Sequence, residues 1–112
     1  MAEPDVPPTA PHVEILYFQG CPNYQETRAL VERIADELRV DPKIDLVEVP
    51  DADAALRLRF LGSPSVRVNG RDIEPGADDR SDASFSCRVY RSDQGLAGQP
   101  AEGWVRDALV GA

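Results

Sequence analysis

An almost unbroken apolar run, His-Val-Glu-Ile-Leu-Tyr-Phe at residues 12–18, leaves few folds open to this chain. β-Branched and aromatic residues favour a strand. A strand without regular polar alternation is typical of a sheet that is covered on both faces. Gln19-Gly20 ends the run. We therefore expect an α/β fold built around a strand at residues 12–18.

The next segment has the spacing of an amphipathic helix. Between residues 23 and 40, apolar side chains recur at three- and four-residue steps, at Leu30, Val31, Ile34 and Leu38. Asp41-Pro42 ends the helix, because a residue before proline is disfavoured in the α region. Residues 44–49 then indicate a second strand. This order predicts a right-handed β-α-β unit with parallel strands.

A second, shorter helix is expected next, capped by Asp51 or Asp53. Gly62-Ser63-Pro64 ends this helix, and residues 65–68 read as a third strand. Asn69-Gly70 is a strong signal for a type I′ turn.

The remaining residues predict a loop, a strand, a second loop and a helix. Residues 71–84 are acidic and have little to bury, so we expect a surface loop. Residues 85–90 indicate a fourth strand, antiparallel to the third, and residues 92–99 a loop. A last helix starts at Pro100. The predicted order is β-α-β-α-β-β-α, a four-stranded mixed sheet with three flanking helices.

Length and charge restrict the classes of function. The chain has 112 residues, which suits one domain at residues 12–112 after a proline-rich, disordered arm at residues 1–11. Twelve Lys and Arg against 20 Asp and Glu give a net charge of −8. That balance argues against nucleic-acid partners and against a basic membrane-surface helix. We find no apolar run long enough for a membrane span, no secretory signal and no phosphate-binding glycine loop. A cytoplasmic protein without a cofactor is expected.

Residues 14–20, Glu-Ile-Leu-Tyr-Phe-Gln-Gly, resemble the recognition sequence of tobacco etch virus protease, Glu-x-x-Tyr-x-Gln-Gly. Such sites are often left behind by expression vectors. We interpret these residues as part of the first strand instead, because removing them would leave the following helix without its sheet.

Two cysteines, Cys21 and Cys87, are too few for a disulfide scaffold or a four-ligand zinc site. Cys21 lies between the first strand and the first helix, and the positive end of the helix favours its thiolate, the nucleophilic and metal-binding form. Pro22 suits the first helical turn. The alternative is a small residue tolerated in a turn, although a strand-to-helix corner after Gly20 is not expected to be core. The single histidine, His12, opens the first strand at the opposite end, which disfavours a Cys–His pair.

The order of motifs resembles the thioredoxin fold over about residues 12–110. It combines a strand, Cys-Pro-Asn-Tyr at 21–24, a β-α-β unit, Gly-Ser-Pro at 62–64, a strand pair and a last helix. More narrowly, the chain is similar to small bacterial thioredoxin-like proteins that are sometimes labelled alkylmercury-lyase-like. The motifs behind that similarity are Leu16-Tyr17-Phe18 running into Cys21-Pro22-Asn23, Phe60-Leu61-Gly62-Ser63-Pro64, Asn69-Gly70-Arg71-Asp72 and Ser86-Cys87-Arg88-Val89-Tyr90.

The resemblance implies a role for each residue of the motif. Cys21 matches the nucleophilic cysteine, and Pro64 matches a cis proline that faces it, although the Ser-Pro dipeptide alone favours trans. Ser63 and Pro64 would align an extended substrate, with Pro22 and Tyr24 beside the thiol. Tyr24, however, stands where the second, resolving cysteine is expected, and a phenol cannot attack a mixed disulfide. An external thiol or Cys87 must then resolve the intermediate.

Cys87 has two interpretations. Its apolar neighbours suit a buried core cysteine. The loop before it could instead bring it to Cys21, within the Cα separation of about 7 Å that a disulfide needs. Two close thiols would also suit a soft ion such as Hg(II) or Cu(I).

Three functions follow from these observations. The first is a thiol–disulfide redox protein, and so a candidate oxidoreductase, acting through Cys21 on a thiol or disulfide substrate. The second is a soft-metal protein that binds or transfers mercury through Cys21 and Cys87, linked to organomercurial resistance. The third is a redox-inactive interaction module, for which Tyr24 is the main argument.

Overall fold

Four strands form one mixed sheet in the computed structural model, which describes residues 11–92 and 95–111. The strands are β1 (His12–Tyr17), β2 (Lys43–Glu48), β3 (Ser65–Val68) and β4 (Arg71–Asp72), in the order β2-β1-β3-β4. β1 pairs in parallel with β2 and antiparallel with β3, which pairs antiparallel with β4. The predicted α/β class and four-stranded mixed sheet are confirmed.

Three helices accompany the sheet, as predicted: α1 (Tyr24–Leu38), α2 (Ala52–Leu58) and α3 (Glu102–Val110). α1 connects the parallel strands β1 and β2. Arg39 ends it in the left-handed region, at φ 57°, three residues before Pro42. Of the two candidate caps for α2, Asp51 is the one used, since its carboxylate accepts the Ala54 N–H at 2.8 Å.

Apolar side chains from β1 enter two core clusters. Val13 and Ile15 belong to a cluster that also contains buried residues of α1, β3 and α3, whereas Leu16 packs with residues of α2 and with Phe60. All three β1 side chains are nearly or fully buried, and each such side chain contributes about 1.5–3 kcal/mol relative to an exposed one. The expectation that this strand is covered on both faces is confirmed.

The fourth strand is not where we predicted it. Asn69 and Gly70 both have positive φ, 52° and 86°, as a type I′ turn requires, so the chain returns at once along β3. Arg71–Asp72 is therefore the fourth strand, and the prediction of residues 85–90 was wrong. The predicted loop at 71–84 holds this strand and a short 3₁₀ helix, Ala77–Asp79.

Residues 85–90 lie outside the four-stranded sheet, apart from one isolated bridge between Cys87 and Ser63. A separate hairpin follows, formed by β5 (Tyr90–Ser92) and β6 (Gly95–Ala97). The prediction of a plain loop at 92–99 was therefore wrong for its strand residues.

The described chain begins at Pro11, which is buried and accepts a hydrogen bond from the Lys43 N–H at 2.9 Å. Pro11 thus adjoins the sheet, whereas the rest of the predicted arm, residues 1–10, lies outside the described residues. In the part of the chain that is described, no helix has the length and apolar character needed to cross a membrane.

Candidate functional site

Cys21 and Pro64 lie on segments that meet at one edge of the sheet. β1 and β3 are antiparallel, and Leu16 near the end of β1 is opposite Ser65 at the start of β3. Cys21 follows the end of β1 by four residues, and Pro64 directly precedes β3. The pairing therefore brings together the two chain segments that the sequence singled out.

A tight turn leads from β1 to Cys21. The Cys21 N–H donates to the Phe18 carbonyl at 3.2 Å, and Gly20 has φ +93°, as the third position of a type II turn requires. No atom lies within 4 Å of a Cβ built on Gly20, so its backbone conformation rather than crowding favours glycine. Asn23 is the N-cap of α1, so Pro22 precedes the helix. The prediction that Pro22 lies in the first helical turn was therefore wrong.

The Cys21 side chain is buried, with 3% of its surface exposed, and its thiol is free. The expectation that this corner is not core was wrong. Around the corner, the rings of Tyr17 and Tyr24 stack with centroids 4.1 Å apart, so the chain before and after Cys21 folds together. Tyr24 thus uses one face of its ring for packing.

The Ser63–Pro64 peptide bond is cis, the isomer that the resemblance implies, and both residues are buried. Ser63 does not offer its backbone to solvent. Its N–H donates to the Ser86 carbonyl at 2.8 Å, and its carbonyl accepts the Arg88 N–H at 2.9 Å. These are the two backbone hydrogen-bonding groups of Ser63. Here residues 86–88 of the chain itself occupy them.

Cys87 lies at the centre of that paired segment, and its thiol is free. Its side chain is exposed, so of the two interpretations of Cys87 the buried core cysteine was wrong. The reason is the alternation of an extended segment: Arg88 and Tyr90 point inward, whereas Cys87 and Val89 point outward.

The segment at 84–88 also contacts the turn that carries Cys21. The Phe85 ring lies 5.1 Å from the ring of Phe18, the residue whose carbonyl accepts the Cys21 N–H. The Ser84 N–H donates to the Phe60 carbonyl at 2.8 Å. The segment bearing Cys87 is therefore held against both the Cys21 turn and the Ser63–Pro64 loop.

Beside this loop lies a buried ion cluster that the sequence analysis missed. Arg88 donates to both carboxylate oxygens of Asp72, at 2.7 and 3.1 Å, and to Glu74 at 2.6 Å. Its side chain is 1% exposed and lies 4.4 Å over the Tyr90 ring. The one signal in the sequence was an arginine within a mainly apolar segment. Its partners Asp72 and Glu74 lie in a stretch that we expected to be an exposed loop, so the sequence did not indicate that they would be buried with Arg88.

The charges of the cluster reinforce one another. Burial alone would lower the pKa of Arg88, but its hydrogen bonds to Asp72 and the nearby carboxylates raise it above its ordinary value. Burial raises the pKa of Tyr90 far above the usual value for a phenol. The Tyr90 hydroxyl donates to the Pro64 carbonyl. Arg88 is therefore charged and Tyr90 neutral across the physiological range.

Other candidate groups contribute nothing to the site. His12 Nε2 lies 2.7 Å from Asp45 Oδ2 at the start of β1, the end of that strand away from Cys21. Among the described residues, no group of three or more His, Cys, Asp or Glu side chains could hold a metal ion.

Neither comparison with known proteins assigns the chain to a family. No protein-family model matches the sequence, and no curated protein is significantly similar to it.

Proposed function

We propose that this chain is a thioredoxin-like thiol–disulfide redox protein whose redox pair is Cys21 and Cys87. The observation that carries the proposal is the pairing of Cys87 with Ser63, the residue before cis-Pro64. This pair lies near the start of β3, which is opposite the end of β1 from which the Cys21 turn follows. The thioredoxin-like assignment rests on the parallel β-α-β unit, the antiparallel β3–β4 pair and the cis proline at the start of β3.

Exposure decides the order of events. A disulfide substrate can reach exposed Cys87 but not the buried Cys21. The Cys87 thiolate attacks one sulfur of the substrate, forms a mixed disulfide and releases the first substrate thiolate. The Cys21 thiolate then attacks the Cys87 sulfur, which releases the second substrate thiolate and leaves a Cys21–Cys87 disulfide.

The balance of this cycle is two protein thiols oxidised and one substrate disulfide reduced to two thiols. Two external thiols, such as two glutathione molecules, return the protein to its dithiol form by the reverse exchange and are themselves oxidised to one disulfide. Two free cysteines suit a reducing compartment, so we place this activity in the cytoplasm.

The first experiment is oxidation of the full chain in a glutathione redox buffer, followed by intact-mass analysis and peptide mapping. We expect one intramolecular Cys21–Cys87 disulfide. Cys21→Ser should accumulate a mixed disulfide with glutathione at Cys87, because nothing resolves it. Cys87→Ser should form little adduct, because the remaining thiol is buried. Adduct formation chiefly at Cys21 would make Cys21 the entry thiol, and no reaction in any variant would overturn the proposal.

The same two free thiols support a second candidate, a two-coordinate site for Hg(II). The specific observation is that both thiols are free and lie on segments joined by the Phe18–Phe85 contact. With no larger cluster of ligands in the described residues, a linear dithiolate is the geometry that they could offer. Titration with Hg(II) should then give one ion per chain, and Cys87→Ser should lose that stoichiometry or weaken it. An unchanged titration would exclude the paired site.

Unaltered partner binding by Cys21→Ser, without redox or metal chemistry, would favour an interaction module.

A further inference from the structure

We infer that Arg88 is a positioning residue of the thiol site, whose buried guanidinium holds the Cys87 segment against the Ser63–Pro64 loop. The positional part of this inference stands on contacts alone. Its consequence for disulfide formation rests on the proposed function.

Arg88 reaches both sides of Pro64. Its backbone N–H donates to the Ser63 carbonyl at 2.9 Å, and its Nη1 donates to the Ser65 hydroxyl at 2.9 Å. The Ser65 hydroxyl in turn donates to the Gly62 carbonyl at 2.6 Å. One residue therefore fixes the segment before Pro64 through its main chain and the segment after it through its side chain.

Tyr90 extends the same arrangement. Its ring lies 4.4 Å below the Arg88 guanidinium, at the distance of a cation–π contact, and its hydroxyl donates to the Pro64 carbonyl. The carbonyls of Ser63 and Pro64 are thus both held by groups from the same extended segment, two residues apart.

The sheet anchors this segment through two carboxylates. Asp72 belongs to β4, and its two oxygens accept the parallel N–H groups of Arg88; Glu74 follows two residues later. The two carboxylate side chains are only 10% and 18% exposed, so solvent and salt screen the attraction little. A lysine could not reproduce the two-pronged contact, because its ammonium is a single point of charge.

Close packing at Gly62 makes the position of Cys87 depend on Arg88. A Cβ built on Gly62 would lie 2.9 Å from the Arg88 Cβ and 3.1 Å from the Ser86 carbonyl oxygen. The two backbones therefore touch directly on either side of Cys87. With Arg88 held inward, the alternation of the segment fixes Cys87 outward and in register with Ser63.

Amide hydrogen exchange of the full chain, followed by NMR, tests the positional part. The reporter is the Ser63 N–H, whose acceptor is Ser86. In Arg88→Lys, we expect exchange at Ser63 to accelerate at least about tenfold while β1 and β2 amides change little, because only the local contact opens. Arg80→Lys is the matched control: Arg80 donates to Glu74 of the same cluster and to the exposed Asp82, and in the described residues no hydrogen bond joins it to the Pro64 loop. It should change Ser63 exchange less than about twofold.

An unchanged Ser63 rate in Arg88→Lys, or a rise shared equally by all sheet amides, would overturn the positioning role. If Arg88→Lys fails to fold, Asp72→Asn replaces it with the same expectation, since it weakens the anchor and keeps the guanidinium.

The redox consequence has its own readout. We expect the equilibrium constant between glutathione and the Cys21–Cys87 disulfide to shift at least about tenfold in Arg88→Lys and to stay constant in Arg80→Lys. Local opening at Ser63 with an unchanged equilibrium constant would overturn the link between Arg88 and the thiol pair. If the wild-type chain forms no such disulfide, the proposed function fails, whereas the exchange experiment still decides the positional role.

Discussion

The backbone of Cys87 pairs with that of Ser63, and Ser63 is joined to Pro64 by a cis peptide bond. The chain thus uses its own exposed cysteine segment to satisfy both backbone groups of Ser63. Under the proposed function, a substrate peptide must either displace residues 86–88 or engage the outward-facing thiol of Cys87. The two thiols therefore differ in their accessibility to reagents in solution, since Cys21 is buried and Cys87 is exposed.

The first prediction concerns alkylation of the native protein. We expect iodoacetamide to modify Cys87 at least about tenfold faster than Cys21, because alkylation requires an accessible thiolate. Time-resolved intact-mass analysis with peptide mapping measures both rates, and the unfolded chain in denaturant serves as the control. Faster modification of Cys21 in the native state would contradict the burial described above.

The second prediction concerns the buried ion cluster. Arg88→Met should lower the free energy of unfolding by about 3–5 kcal/mol, because it leaves the carboxylates of Asp72 and Glu74 buried without their main partner. Arg71→Met is the matched control. Its ion pair with Asp78 is mostly exposed, and its loss should cost less than about 1 kcal/mol. Urea denaturation of the three proteins measures the difference, and equal losses would contradict it.

The third prediction separates crowding from backbone conformation at two glycines. Gly62 and Gly70 both have positive φ, +118° and +86°, but only at Gly62 would a Cβ collide with the neighbouring segment. Gly70→Ala should cost about 1 kcal/mol of stability for its left-handed backbone. Gly62→Ala should cost at least about 2 kcal/mol, since residues 86 and 88 must also shift. Thermal and urea unfolding measure both values, and equal costs would refute the close approach.

The fourth prediction is a loss of stability at alkaline pH that Tyr90 causes. Burial raises the folded-state pKa of Tyr90 above its ordinary value of about 10, so above that pH the unfolded chain releases a proton that the folded chain keeps. The contribution is complete below pH 10 and declines as the pH rises, by at most about 1.4 kcal/mol per pH unit. Urea unfolding between about pH 9 and pH 11 should show this slope in the wild type. Tyr90→Phe should reduce the slope by the contribution of one proton, and an identical slope would contradict the assignment.

The fifth prediction uses the sequence at residues 14–20 as a reporter of unfolding. Most of it lies in β1, which has paired neighbours on both edges, so tobacco etch virus protease cannot bind it as an extended substrate. We expect the native chain to be cut between Gln19 and Gly20 at least about 100-fold more slowly than the same heptapeptide in an unstructured linker. Gel analysis measures both rates. Arg88→Met should be cut faster than the wild type, and rapid cutting of the native wild type would contradict the position of β1.

Sequence reasoning succeeded where a pattern depends on near neighbours. The apolar run at 12–18, the helical spacing through Leu30 to Leu38 and the Asn69-Gly70 turn each encode their own local structure, and all three are present. The same turn explains the main error. A two-residue turn pairs the residues that follow it directly, so Arg71–Asp72 occupies the edge of β3 and excludes residues 85–90 from that position.

The parts of the site that escaped prediction depend on distant contacts. Nothing local indicates that Arg88 finds two carboxylates 16 and 14 residues away, since arginine in an extended segment is ordinarily exposed. The burial of Cys21 was the reverse of our expectation, and the exposure of Cys87 contradicts one of the two interpretations that the sequence left open, because neither thiol determines which side of its segment is covered. The sequence located both thiols but did not reveal which one faces solvent.

The central place of β1 has a consequence for the order in which the chain is synthesised. β1 leaves the ribosome before the other described strands, and its partner β2 follows once α1 has been made. Its other edge pairs with β3 and stays open until Val68 has emerged. During that interval the strand that supplies three buried side chains, Val13, Ile15 and Leu16, presents unpaired N–H and C=O groups, which are a template for association with other nascent chains. A ribosome-bound chain that ends before β3 should therefore depend on a chaperone more than one that ends after β4.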